Sequence, residues 1–112
     1  MAELIKTDYR PENDLLYITT TKPSAGALEV SRNIYAHFDE QRNLVAVEVL
    51  WASESLRNFG ITRKMLIDTK DAVLIDERTE QGVKVGFILA NKESQKSCFF
   101  IVEQDLPVVA EV

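Results

Sequence analysis

The sequence has one cysteine, Cys98, and one histidine, His37, in 112 residues. A single cysteine excludes an intrachain disulfide and zinc sites built on paired cysteines, and a single histidine excludes the common two- and three-histidine metal centres. The four glycines, at 26, 60, 82 and 86, stand apart, so no glycine-rich phosphate loop is present. Apolar runs are short: Glu48, Lys84 and Glu103 break them far below the ~18 residues of a spanning helix. Residues 1–10 lack the apolar segment of a signal peptide. Basic excess is missing as well, since 13 Lys and Arg oppose 18 Asp and Glu, a net charge of −5 that gives no field for DNA. From these absences we expect a cytoplasmic protein without membrane association, DNA binding, metal or other cofactor. The free cysteine fits a reducing compartment.

What is there patterns as short strands. Residues 2–9 and 15–21 predict a hairpin around the turn Arg10-Pro11-Glu12-Asn13-Asp14, because proline fixes φ and Asn and Asp tolerate left-handed backbone. After the breaker Lys22-Pro23-Ser24-Ala25-Gly26, residues 27–31 predict a brief edge strand. Over 33–38, Ile34, Ala36 and Phe38 share one face and Tyr35 and His37 the other. The strand 44–51 places Val45, Val47, Val49 and Trp51 on an apolar face and isolates Glu48 among Leu44, Ala46 and Leu50 on the other. Ser53 suits a helix N-cap with Glu54 in the first turn. Leu56 and Phe59 then form a short apolar stripe before Gly60. Residues 62–69 fit either a helical turn or extended chain. Strands at 72–77, 83–90 and 97–103 follow, joined by polar links of hairpin length. Any strand in 106–112 belongs at an edge because of Pro107. The expectation is one α+β domain over 1–112, mainly antiparallel, with about seven short strands and one or two helical turns around 53–70. Its core should include Leu16, Ile18, Val47, Val49, Phe87 and Phe99.

Tyr9, Pro11, Asp14, Leu16, Tyr17 and Ile18 follow the pattern Tyr-Asp-Pro-x-x-Asp-x-Leu-Tyr-Ile, with Arg10 in place of the aspartate. Phe38 and Asp39 keep the aromatic–acid pair of an Asp-Tyr-Asp-x-x-Gly turn, in which His37 and Arg42 replace the first aspartate and the glycine. Glu48, Val49, Leu50, Ala52 and Ser53 then fit the ending Glu-Ile-Leu-x-Ala-Ser. Through these motifs residues 4–53 resemble the small prokaryotic domain of unknown function numbered 2283, and 54–112 form an extension. No common activity attaches to that family. The resemblance implies a small partner-binding protein, and the position of some members beside toxin-like genes implies an antitoxin-like role.

The candidate chemistry is sparse. A carboxylate on an apolar strand can act as an acid or base if a second group lies within reach, and a hairpin of 33–39 with 44–51 would bring His37 to Glu48. That pair supports an alternative reading as a small-ligand-binding or hydrolytic protein. Cys98, between Ser97 and Phe99-Phe100, reads as core. Asp68, Asp71, Asp76 and Glu77 read as solvated surface. In 57–70 the bases Arg57, Arg63, Lys64 and Lys70 oppose Asp68, four against one, a local charge of +3 within an acidic chain. Arg57, Phe59, Arg63 and Lys64, with Trp51, are the candidate partner-binding residues, and weak RNA binding through 57–70 is a further alternative. The leading expectation is a non-enzymatic interaction module that forms a homodimer and engages a small protein partner, with no catalytic residues.

Overall fold

A computed structural model describes residues 5–69, 71–92 and 94–102. Among the described residues, eight strands form two antiparallel sheets, with two short helices and a 3-10 turn between them. The first sheet comprises β1 (Lys6–Arg10), β2 (Leu15–Thr19), β3 (Gly26–Ser31), β4 (Ile34–Phe38) and β5 (Leu44–Leu50), in the order β1-β2-β5-β4-β3. The second comprises β6 (Asp71–Arg78), β7 (Val83–Ala90) and β8 (Gln95–Val102), in chain order. This is the expected mainly antiparallel α+β architecture, with β1 and β2 paired as the hairpin and β3 at the sheet edge. The expected tail strand in 106–112, together with Glu103 and Lys70, lies outside the described residues.

One apolar layer joins the sheets. Leu16, Ile18, Ile34, Ala36, Phe38, Val47 and Val49 from the first sheet meet Val83, Val85, Phe87, Leu89 and Cys98 from the second. Burial of such side chains is the main stabilising term of a domain of this size. The connector closes one end with Leu56, Ile61 and Leu66. There α1 (Ala52–Ser55) leads to a 3-10 turn (Arg57–Phe59), which Gly60 ends at φ 78°. The ambiguous stretch 62–69 is resolved as α2 (Arg63–Asp68), because the Thr62 side chain caps it by accepting the Met65 N–H at 3.2 Å.

Four expectations need correction, each for a local geometric reason. A bulge between β4 and β5 pairs His37 with Ala46 but Phe38 with Leu44. The alternation therefore slips, and Leu44, expected on the opposite face, joins the main core cluster, while Val45 at the bulge is buried as expected, 1% exposed, outside that cluster. Trp51 does not continue the apolar face of β5: its backbone is left-handed, φ 53°, and its side chain is 59% exposed. Ser53 is not an N-cap but lies inside α1, with Trp51 at the cap position. Phe99 is 43% exposed, because Phe87 pairs with Cys98 and Phe99 with Gly86, so Cys98 takes the core position.

Candidate functional site

The outer face of the first sheet carries a polar row set by strand register. Asp8, Tyr17, Glu48, Tyr35 and Glu29 lie opposite one another on β1, β2, β5, β4 and β3. His37 is diagonal to Glu48 and reaches it. The Glu48 carboxylate accepts the Tyr17 hydroxyl at 3.1 Å and meets His37 Nε2 at 3.2 Å. The other ring nitrogen, Nδ1, lies 3.2 Å from Ser24 Oγ. Side chains of His37 and Glu48 are about three-quarters covered, at 24% and 22% exposure. Partial burial, with the hydrogen bond to and the charge of Glu48, raises the Tyr17 phenol above its usual pKa. The sequence-predicted pair is thus brought together and extended into a Ser24–His37–Glu48–Tyr17 chain. With Nε2–H donated to Glu48, Nδ1 is left to accept from Ser24, the arrangement a general base needs. The neighbouring 450 Å³ cleft is lined by Ser24 but not by His37 or Glu48.

A second node binds the β1–β2 turn to α1. Asp14 sits at φ 52°, which Asp tolerates. Its carboxylate accepts the Tyr9 hydroxyl at 2.6 Å, the Ser53 N–H at 3.0 Å and the Ser53 hydroxyl at 2.8 Å. Burial works to raise the Asp14 pKa, but the bonds from Tyr9 and Ser53 outweigh it and hold the carboxyl below its usual range. The same burial, with the Asp14 bond and charge, pushes Tyr9 up to about 12. Tyr9, Asp14 and Ser53 looked like separate motif positions in the sequence. Their shared role is to fix where α1 starts.

The basic connector is partly absorbed by the fold. Phe59 is half-buried against the core and packs edge-on to Phe100, ring centroids 5.7 Å apart. Arg63 donates to the Pro11 carbonyl at 3.1 Å, and Lys64 pairs with Asp68 one helical turn on at 3.0 Å. Arg57 and Arg63 remain exposed. Trp51 lines clefts of about 720 and 590 Å³, neither of them lined by Arg57 or Lys64 and the second shared with Arg63.

The outer face of the second sheet was not anticipated. Val73 is 53% exposed, Phe99 43% and Ile101 52%, beside half-buried Ile75 and Ile88. Lys84 Nζ lies 4.3 Å from the centroid of the Phe99 ring. The signal was available in β6 and β8, where apolar residues occupy both alternating sets. No three His, Cys, Asp or Glu side chains come together as a metal-holding group among the described residues. No helix among them is long and apolar enough to cross a membrane.

No curated protein and no solved structure matches the chain. Residues 6–53, which contain every member of both polar nodes and span the whole first sheet, match the family described as Protein of unknown function (DUF2283).

Proposed function

We propose that this protein is a non-enzymatic interaction module that acts as a homodimer through the outer face of β6, β7 and β8. The carrying observation is the exposure of Val73, Phe99 and Ile101 on one face, with half-buried Ile75 and Ile88 between them. An apolar patch on the order of a few hundred Å² is of the size that is often functional. A second copy suits it because the charges lie at opposite ends. Asp71 stands at one end of β6, and the cross-strand pair Glu77–Lys84 at the other. Face-to-face packing about an axis across the strands sets the Glu77–Lys84 end of one copy over the Asp71 end of its mate, where Lys84 offsets the two carboxylates that meet. The patch is smaller than the roughly 800 Å² per partner of a standard interface, so the dimer is weak, dissociating in the micromolar range. The net charge of −5 further suits a basic protein as the dimer's partner, as for the regulatory, antitoxin-like half of a small bacterial pair.

Sedimentation equilibrium from about 1 to 300 μM tests the dimer. The wild type should shift from 12.7 kDa toward twice that mass, and Ile101→Lys should stay monomeric with an unchanged thermal midpoint. A wild type that is monomeric throughout, or an Ile101→Lys variant that still dimerises, overturns the proposal.

The Ser24–His37–Glu48–Tyr17 chain favours a second reading, hydrolysis with His37 as general base. Turnover of p-nitrophenyl acetate that is lost in both His37→Ala and Ser24→Ala supports it, and equal turnover in wild type and variants removes it.

A further inference from the structure

Trp51 combines three features that the packing of the fold does not require. It is the single tryptophan of the chain, its indole is mostly in solvent, and its backbone occupies the left-handed region, which bulky side chains rarely adopt. The conformation is imposed from both sides. The Leu50 N–H donates to the Asn33 carbonyl at 2.8 Å, and the Ala52 N–H donates to the Asp14 carbonyl at 2.8 Å. The Trp51 carbonyl in turn accepts the N–H groups of Glu54 and Ser55 at 3.0 and 2.8 Å. Four hydrogen bonds therefore hold the residue in this conformation just past the end of β5, with its side chain exposed. Backbone strain held this firmly is characteristic of ligand-contacting positions.

On one side the indole walls the 720 Å³ cleft together with Arg32, Asn33, Glu54 and Asn58. The side chains of Arg32, Glu54 and Asn58 make no hydrogen bond or ion pair among the described residues. They offer a guanidinium, a carboxylate and a carboxamide, all planar and able to grip paired hydroxyls. One positive and one negative charge leave the lining neutral, so Glu54 opposes an anion and Arg32 opposes a cation. A neutral ligand with many hydroxyls and one apolar face answers each of these groups. A pyranose ring has both: equatorial hydroxyls at its rim and a face of C–H groups that packs on an indole. The cleft is also shallow and polar, unlike the enclosed apolar pockets of most small-molecule sites.

We propose that this cleft is a saccharide-binding site, in which a pyranose ring stacks on Trp51 and is hydrogen-bonded by Arg32, Glu54 and Asn58. The site lies on the first sheet and the connector, and so is independent of the dimer face.

Because the chain has one tryptophan, intrinsic fluorescence reads this cleft directly. The probes are cellobiose, maltose and chitobiose, with adenosine monophosphate as the competing chemistry. At least one disaccharide should shift or quench the emission saturably, with a millimolar dissociation constant. Arg32→Ala and Asn58→Ala should each weaken that binding about tenfold or more while leaving the thermal midpoint unchanged. The proposal is overturned by no saturable response to any disaccharide up to about 100 mM, by saturation with adenosine monophosphate in place of the sugars, or by sugar binding that neither variant alters.

Discussion

Removing the Asp14 carboxylate should loosen the junction between the β1–β2 turn and α1 more than any other single polar change. Asp14→Ala strips acceptors from three donors, the Tyr9 hydroxyl and the Ser53 N–H and hydroxyl. Hydrogen bonds to a charged group contribute about 1.5–3 kcal/mol each, but here the site is only part-buried and the released donors can find water. The left-handed backbone at φ 52° adds about 1 kcal/mol against alanine. Together these give a loss of about 3–4 kcal/mol, or roughly 10–20 °C in thermal midpoint for a chain of this size. Asp14→Asn keeps the backbone preference and one acceptor oxygen, so it should lose about half as much. Acid titration separates the charge from the shape. The folded Asp14 pKa lies below the ordinary 3.8, so its contribution is complete above that value and disappears as pH falls through the folded one. Asp14→Asn should lack this acid-sensitive component. At the alkaline end Tyr9, raised from 10.0 to about 12, contributes fully below pH 10 and loses its contribution between those values, a loss that Tyr9→Phe should abolish. The assay is urea unfolding followed by circular dichroism from pH 2.5 to 12. Midpoints for Asp14→Ala and Asp14→Asn within about 0.5 kcal/mol of wild type would refute the reasoning.

Gly86→Ala should be severely destabilising, by more than about 3 kcal/mol, because an added Cβ would sit 2.0 Å from the Cys98 carbonyl oxygen and 2.6 Å from the Phe99 Cα, which are backbone atoms that cannot turn aside. An unaltered urea midpoint would show that β7 and β8 are not so close. Phe87→Ala should cost about 3–5 kcal/mol and Phe99→Ala under about 1 kcal/mol, and reversal of that order in unfolding experiments would contradict the assigned faces of the second sheet. Cys98 is buried, which pushes its thiol up to about 12, so iodoacetamide at pH 8 should label it only as fast as the protein opens; rapid stoichiometric labelling of the native protein would place the thiol outside the core.

Much of the fold was legible because period-two patterns and turn residues act locally. Ile34, Ala36 and Phe38 are buried as their alternation implies, and the hairpin partners follow from short polar links. The misplacements arise where register or backbone conformation is set by a distant strand. Leu44 reads as a partner of Glu48 on the outer face until a bulge opposite β4 pairs it with Phe38 and turns it into the core. Trp51 reads as the next apolar residue until hydrogen bonds from the turns at Asn33 and Asp14 force it into the left-handed region. Phe99 and Cys98 are adjacent and both apolar, so only pairing with β7 decides which faces inward. At the candidate sites, spacing across one hairpin was enough to bring His37 to Glu48. The contributions of Ser24 and Tyr17, and the joining of Tyr9, Asp14 and Ser53, depend on loop and sheet geometry that no short motif encodes.

The segment matching the family ends where the first sheet ends, and that sheet has a wholly apolar inner side. A chain consisting of this sheet alone would expose Leu16, Ile18, Phe38, Val47 and Val49 to water, a state in which small sheets aggregate or find company. Here β6, β7 and β8 occupy that side, so the protein carries its own cover. The cover is an exchangeable part in the energetic sense: any partner presenting a comparable apolar surface could serve a bare version of the sheet. Supplying it in the same chain frees the module from that dependence and moves the question of association outward, to the far side of the cover itself.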